Sequence, residues 1–215
     1  MGPFYFVRHG ETEWNAEGRF CGRTDVPLSE AGRGQARLLA VRVKPLCVNV
    51  LYSSPLLRAL ETARIIGEVI GTDPVIDPRL TELNYGAWEG LTLEEIKRAG
   101  PAIYKAWDRD PGSLAPPQGE SGEQLIERVM PFLADVAQIH PGGNVMVVCH
   151  KTVCRLLACH IMGVPLREYR QAVPMENAAL NVFEMTDGVW RVAKLNDTSH
   201  LAGTGEVEVQ RGPVW

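Results

Sequence analysis

Arg8 and His9 stand side by side where the apolar run of residues 4–7 gives way to Gly10. A charge-free run of aromatic and β-branched residues predicts a short buried strand. Side chains at the carboxyl end of such a strand lie where open α/β sheets bind their ligands. A neutral imidazole can attack phosphorus, and a guanidinium can neutralise phosphate oxygens through its planar fork of donors. Taken alone, however, the pair is more often an ordinary polar strand end.

Three more segments place reactive side chains at the end of an apolar run or at the start of a helix. Arg58 follows the turn of residues 53–55 and opens a predicted helix, whose amino end attracts anions. Glu82 lies in a predicted loop, and His150 ends the apolar run of residues 145–149. Two histidines, two arginines and one carboxylate are the residue types that phosphoryl transfer requires.

This ordered set of motifs resembles the histidine phosphatase superfamily, which includes the cofactor-dependent phosphoglycerate mutases. The resemblance covers roughly residues 4–200, which is essentially the whole chain. The matching segments, in chain order, are residues 8–12 with Trp14 and Asn15, residues 18–19 and 25–29, residues 53–55 with Arg58, Thr62 and Ala63, Glu82 with residues 86–90, residues 119–121, and His150. It implies a single domain over residues 1–215 with a phosphoglycerate mutase-like fold.

The resemblance also implies a role for each of the five central residues. His9 would be the nucleophile that forms a phosphohistidine intermediate. Arg8, Arg58 and His150 would surround the phosphoryl group and stabilise the charge on its equatorial oxygens. Glu82 would protonate the departing alkoxide and then activate the water that attacks the phosphohistidine. No metal or other cofactor is expected, because the arginines supply the positive charge.

Five further residues are predicted to contact the substrate. Asn15 would donate a neutral hydrogen bond to the phosphoryl oxygens. Cys21 replaces the polar residue usual in relatives, which leaves the backbone amides of Cys21 and Gly22 as donors. Tyr85 either lines the pocket or belongs to the core. Lys151 either contacts a second anionic group or points into solvent, and its place at a helix start, where a cation is unfavourable, favours the contact.

Hydrolysis is favoured over phosphoryl transfer to a second hydroxyl. Mutases of this family clamp the substrate carboxylate with a lysine soon after the acid loop and with an adjacent arginine pair. Here the first lysine after Gly90 is Lys97, and Arg109 stands alone. The sequence therefore predicts a metal-independent phosphomonoesterase that acts on a small phosphorylated metabolite. A mutase-type phosphotransferase and a non-catalytic phosphate-binding protein are the alternatives.

Composition narrows the class of partner. A chain of 215 residues that is 45% hydrophobic can bury one core of ordinary size, and its net charge of −4 argues against a general nucleic-acid or membrane binder. Residues 1–3 lead directly into the first predicted strand rather than into a signal peptide. The five cysteines lack a disulfide-framework spacing, so a reducing cytoplasm is expected. A homodimer is compatible with the sequence but cannot be derived from it.

A cluster of cysteine and histidine residues at positions 149–160 raises the question of a metal site. His150 and Cys154 can share a helix face, but Cys159 and His160 fall more than a turn further on, on diverging faces. A closed zinc site needs convergent ligands. The cysteines are therefore interpreted as core residues.

Strands and helices alternate along the chain, and this order predicts a three-layer α/β/α sandwich with a mostly parallel central sheet. Strands are expected at residues 4–7, 48–52, 74–76 and 145–149, with a hairpin of residues 180–184 and 189–195. Helices are expected at residues 29–43, from Arg58 to Gly67 or Gly71, and at residues 92–99, 101–107 and 152–162. A long helix over residues 120–140 is expected to break or bend near Pro131. The loop of residues 110–122 is the expected rim of the pocket.

Overall fold

The computed structural model describes residues 2–202, and it contains one six-stranded mixed sheet. Strands β1 to β4 are parallel, and the last two strands form an antiparallel hairpin that pairs with β1, in the order β3-β2-β4-β1-β5-β6. The strands are β1 (Phe4–Arg8), β2 (Val50–Ser53), β3 (Pro74–Ile76), β4 (Val145–Cys149), β5 (Leu180–Thr186) and β6 (Val189–Asp197). The mostly parallel sheet is as predicted, while residues 203–215 of the predicted single domain lie outside the described residues.

The α-helices of the described residues are α1 (Glu13–Ala16), α2 (Glu30–Val43), α3 (Leu57–Ile70), α4 (Leu93–Ala99), α5 (Pro101–Arg109), α6 (Gly122–Ile139), α7 (Lys151–Met162) and α8 (Tyr169–Ala172). Six of them lie close to the predicted positions, whereas the short helices α1 and α8 were not predicted. Ser29 and Thr92 cap α2 and α4 through their hydroxyls, as the sequence indicates. Of the two alternatives predicted near Pro131, a break is excluded, since α6 continues through that residue. Likewise, β2 begins two residues later than predicted.

Alternation along the central strands divides the core between the two faces of the sheet. In β1, Phe4 and Phe6 face one cluster, whereas Tyr5 and Val7 face the other. Helices α6 and α7 cover the first face, and helices α2 and α3 cover the second. The three-layer α/β/α sandwich is therefore confirmed.

Strand register brings the reactive positions to one edge of the sheet. Arg8 at the end of β1 pairs with Cys149 at the end of β4, and Val148 pairs with Ser53 at the end of β2. The turns that follow these three strands therefore meet at the same edge, as parallel topology requires. The backbone N–H of His9 donates to the carbonyl of Cys149 at 3.0 Å, which holds the turn after β1 against the end of β4.

Two glycines allow the turn after β1 to approach α2 closely. A side chain at Gly10 would collide with the backbone of Gly32, and a side chain at Gly32 would collide with the backbone of Glu11. The Gly10 N–H also donates to Thr62 Oγ1 of α3 at 3.1 Å. These contacts fix the backbone that carries His9.

Among residues 2–202, no helix has the length and apolar character needed to cross a membrane.

Candidate active site

The structure brings the five predicted central residues together in a nearly closed pocket. The ring centroids of His9 and His150 lie 5.2 Å apart, with the rings inclined by 62°. Their side chains are almost fully removed from solvent, with exposures of 5% for Arg8, 3% for His9, 0% for Arg58, 6% for Glu82 and 0% for His150. Buried ionisable groups at this density are a feature of functional sites.

The partners of His9 define its tautomer. His9 Nδ1 lies 2.6 Å from the carbonyl oxygen of Gly10, which only accepts hydrogen bonds, so Nδ1 carries the proton. Arg58 Nε, which only donates, lies 3.2 Å from His9 Nε2. Nε2 is therefore the unprotonated ring nitrogen, and its lone pair accepts from Arg58, as the lone pair of a potential nucleophile.

Arg58 lies in the first turn of α3 and is fully buried. Its Nη1 donates to the Thr24 carbonyl at 2.9 Å and its Nη2 to the Gly22 carbonyl at 2.6 Å. The Arg58 carbonyl accepts from Thr62 Oγ1 at 2.7 Å, one turn along α3. Carbonyl dipoles thus hold the guanidinium in place without a carboxylate partner, which leaves its charge available to an anion.

Arg8 and His150 each keep a buried polar atom without a protein partner in residues 2–202. Arg8 Nη1 donates to the Met175 carbonyl at 2.7 Å, while its Nε makes no hydrogen bond. His150 Nε2 lies 2.8 Å from Ser54 Oγ, and its Nδ1 makes none. A buried polar group without a partner is costly, so these two atoms are candidate partners for a bound ligand.

Glu82 is held at its place by backbone donors. Its Oε1 accepts from the Leu83 N–H at 2.8 Å and its Oε2 from the Thr152 N–H at 3.1 Å. Below it, Arg128 Nη2 donates to the Glu82 carbonyl at 3.1 Å, and the same guanidinium is paired with Glu120 at 2.7 Å. This arrangement orients the carboxyl group toward the turn that contains His150.

Burial and positive charge keep the two imidazoles neutral. Burial lowers the pKa of His9 well below its usual value, and the charges of Arg58 and Arg8 lower it further. The pKa of His150 is lowered by burial and then by Arg58 and His9. Burial, with the charge of Arg155, lowers the pKa of Arg8 to about 10, so this group stays cationic at neutral pH.

The predicted donors Asn15, Cys21 and Gly22 lie beside the pocket, but Asn15 already has partners. Its Oδ1 accepts from the Thr12 N–H at 3.2 Å in the cap of α1, and its Nδ2 lies 3.7 Å from Cys21 Sγ. Within residues 2–202, the backbone N–H groups of Cys21 and Gly22 donate to no protein group. Asn15 Nδ2 carries a second hydrogen, so Asn15 and the two backbone amides all remain candidate donors to a ligand.

Tyr85 belongs to the buried aromatic cluster and also contacts the active-site helix. Its ring lies edge-on to Phe20, with centroids 4.8 Å apart, and its hydroxyl is 3.0 Å from Thr152 Oγ1. Thr152 therefore joins Tyr85 to Glu82, since its N–H donates to the Glu82 carboxylate. Lys151 precedes Thr152 and lies among charged groups that include Arg8 and Glu82.

The sequence motifs did not reveal the role of Glu89, which organises the loop under Arg58. The Glu89 carboxylate accepts from the N–H groups of Arg23 and Thr24, both at 2.8 Å, from Thr24 Oγ1 at 2.5 Å and from the Tyr85 N–H at 3.1 Å. The carbonyls of Gly22 and Thr24 are those that bind Arg58. Glu89 is thus a positioning residue for Arg58.

Glu89→Gln should weaken phosphate binding as well as turnover. The glutamine offers only one acceptor oxygen to a loop of donors, and losing one or two charge-assisted hydrogen bonds should lower kcat/KM for an aryl phosphate about 10- to 100-fold. Inhibition by inorganic phosphate should weaken in parallel, because Arg58 loses its support. Glu94→Gln is the matched control, since Glu94 is 76% exposed and pairs with Lys97 on the surface. Unchanged kcat/KM and unchanged phosphate inhibition would contradict this role.

The cysteine and histidine cluster does not converge. Cys149 and Cys154 are buried with their sulfur atoms 3.5 Å apart, whereas His160 is exposed at the other end of α7. Over residues 2–202, no group of three or more histidine, cysteine, aspartate or glutamate side chains is arranged to hold a metal ion. The cysteines there are all free thiols.

Comparison with known proteins identifies the family. The histidine phosphatase superfamily (branch 1) matches residues 4–198. Phosphoserine phosphatase 1 of Hydrogenobacter thermophilus is 35% identical over 94% of this chain and 95% of its own. A probable phosphoglycerate mutase of an Enterobacter species is 34% identical over 96% and 98%.

Solved structures give the same result. The Bacillus stearothermophilus protein YhfR superposes with a TM-score of 0.88 at 32% identity, over 94% of this chain and 100% of its own. A mycobacterial glucosyl-3-phosphoglycerate phosphatase in complex with vanadate has a TM-score of 0.84 at 30% identity, over 91% and 99%. The phosphoglycerate mutase-like fold is therefore confirmed, and the chain belongs to the histidine phosphatase superfamily.

Proposed function

We propose that this protein is a metal-independent phosphomonoesterase that hydrolyses a small phosphorylated metabolite through a phosphohistidine on His9. The observation that carries the proposal is the fixed His9 tautomer, in which Nδ1–H donates to Gly10 and Nε2 is directed toward buried Arg58. A neutral, oriented imidazole beside two cations is suited to attack an anionic phosphoryl group.

In the first step, His9 Nε2 attacks phosphorus and the ester oxygen departs. Arg58 Nε, which contacts Nε2 in the free enzyme, turns its hydrogen bond to a phosphoryl oxygen. The unpartnered Arg8 Nε and His150 Nδ1 supply further donors to the equatorial oxygens, which stabilises the transition state. Glu82 gives its proton to the departing alkoxide.

In the second step, water replaces the alcohol product. Glu82, now a carboxylate, removes a proton from this water as it attacks the phosphohistidine. The phosphorus–nitrogen bond breaks, and His9 Nε2 regains its lone pair. Inorganic phosphate leaves the pocket, and Glu82 is again protonated for the next cycle. The two steps conserve the proton on Glu82.

The relatives include a protein named as a phosphatase and one named as a mutase. The positions of two charged residues support hydrolysis over mutase chemistry. Lys97 Nζ pairs with Glu94 at 3.3 Å and lies over the Tyr104 ring, so it is engaged on the protein surface. Arg109 is also exposed. The lysine and arginine pair that would clamp a carboxylate in a mutase is therefore not assembled from these residues. The free thiols support a reducing, cytoplasmic setting.

The experiment that tests this function is phosphate release from a panel of phosphorylated metabolites, with a chelator present. Turnover should be the same with and without chelator, because the arginines supply the charge that a metal ion would otherwise provide. The panel includes 3-phosphoglycerate, followed for 2-phosphoglycerate with and without a bisphosphoglycerate primer. Isomer formation without phosphate release would establish a mutase instead. A loss of turnover in chelator, restored by a divalent metal, would contradict the mechanism.

A further inference from the structure

Lys151 occupies a position next to the phosphoryl pocket that the proposed mechanism does not use. It is the first residue of α7 and directly follows His150. Cys149 pairs with Arg8 in the sheet, and Lys151 comes two residues after Cys149. Lys151 therefore lies at the same edge of the sheet as Arg8. Arg155 lies one turn further along the same face of α7 and is only 4% exposed. Three cationic side chains therefore gather on this side of the pocket.

The Lys151 ammonium is placed there at an electrostatic cost. A lysine in the first turn of a helix opposes the helix dipole. Burial lowers the pKa of Lys151 well below its usual value, and the charges of Arg8 and Arg155 lower it further, against smaller opposite effects of Glu176 and Glu82. Within the described part of the chain, the ammonium makes no hydrogen bond and no ion pair. Violations of this kind are typical of binding sites.

The phosphoryl group does not need this cation. Its oxygens find donors in Arg58, in the unpartnered Arg8 Nε and in the unpartnered His150 Nδ1. Lys151 is therefore in excess over the requirements of the reacting centre. Lys151 is half-buried, and a second anion bound nearby would offset the cost of its charge.

We infer that Lys151 binds a second anionic group of the substrate, so that the enzyme prefers phosphate monoesters that also carry a carboxylate or another phosphate. Arg155 adds positive charge to the same side, which strengthens the attraction for either anion. This inference rests on the proposed function, since it assigns the substrate class of the same pocket. An ammonium is a point charge that accepts either kind of oxygen, so the chemistry shared by the two groups is an anionic oxygen close to the ester.

Two matched pairs of esters separate the possible anions. 3-Phosphoglycerate and glycerol 3-phosphate differ only by a carboxylate, and fructose 1,6-bisphosphate and fructose 6-phosphate differ only by a phosphate. Binding is measured by calorimetry on the His9→Ala chain, which cannot form the phosphohistidine and so leaves the esters intact. In at least one pair, the member with the second anionic group should bind about 10- to 100-fold more tightly.

Adding Lys151→Gln to the same chain should abolish that advantage, so that the two members of the pair bind with affinities within about twofold of each other. Lys44→Gln, which removes an exposed charge at the end of α2, should preserve the advantage. An advantage for 3-phosphoglycerate identifies a carboxylate, and one for the bisphosphate identifies a second phosphate. Equal affinities within both pairs, or an advantage that survives Lys151→Gln, would overturn the inference.

A separate readout keeps the proposed function distinguishable from this inference. The unmodified chain is assayed for phosphate release from p-nitrophenyl phosphate, an ester without a second anion. Turnover of that ester with equal binding in both pairs would overturn the Lys151 inference alone. Binding preferences that depend on Lys151, without turnover of any ester, would support the inference and contradict the phosphatase.

Discussion

His9→Ala should abolish turnover and phosphoenzyme formation together, with a fall in kcat of about 10⁴-fold or more. Its Nδ1–H donates to the Gly10 carbonyl and its Nε2 accepts from Arg58, which together fix the ring with an unprotonated Nε2. Removing it leaves Arg8, Arg58 and His150 able to bind phosphate but with no nucleophile. Steady-state phosphate release from an aryl phosphate measures the loss.

The control for this substitution is His160→Ala, because His160 is exposed at the end of α7 and far from the phosphoryl pocket in the fold. It should retain the activity of the unmodified chain. The thermal unfolding midpoint of His9→Ala shows whether the fold survives. Turnover by folded His9→Ala within about tenfold of the unmodified rate would exclude His9 as the nucleophile.

Glu82→Gln should slow alkyl phosphates about 10²- to 10⁴-fold while affecting activated aryl phosphates much less. An alkoxide leaves poorly without a proton, and Glu82 is the acid that the structure holds in the pocket by the N–H groups of Leu83 and Thr152. A nitrophenolate leaves without assistance, so its first step does not need the acid. The ratio of the two kcat/KM values is the measurement.

The aryl ester is also the internal control for the fold of this variant. A glutamine at position 82 loses one acceptor for the two backbone donors, which would disturb the pocket for every substrate alike. Equal losses on alkyl and aryl esters would therefore remove Glu82 as the general acid. A selective loss on alkyl esters agrees with the assigned role.

Residues at strand ends were predictable because their place follows from local pattern. Charge-free apolar runs predict β1 and β4, and parallel pairing brings the residues after them to one edge. Arg8, His9 and His150 could therefore be placed together from sequence alone. The capping residues Ser29 and Thr92 were predictable for the same reason, since the side chain and the amide it caps are three residues apart.

Contacts between distant loops could not be predicted in this way. Glu89 binds backbone N–H groups that lie more than 60 residues away in the chain, and any carboxylate could accept them. The burial of Arg58 depends on the carbonyls of that same loop. Pro131 was expected to break or bend its helix, but α6 continues through it, with the neighbouring Phe132 and Leu133 packed in the core. Tertiary packing decides each of these features.

The central claim is that the phosphoryl group passes through His9, and trapping the intermediate tests it most directly. The chain is mixed with an aryl phosphate, quenched in base within the first turnover, digested with trypsin and examined by mass spectrometry. Phosphohistidine survives base, and the tryptic peptide of residues 9–19 contains His9 as its sole histidine. The proposed mechanism predicts one phosphoryl group on that peptide and none in His9→Ala. Turnover with no phosphoryl group on this peptide, or with the group on His150 instead, would contradict it.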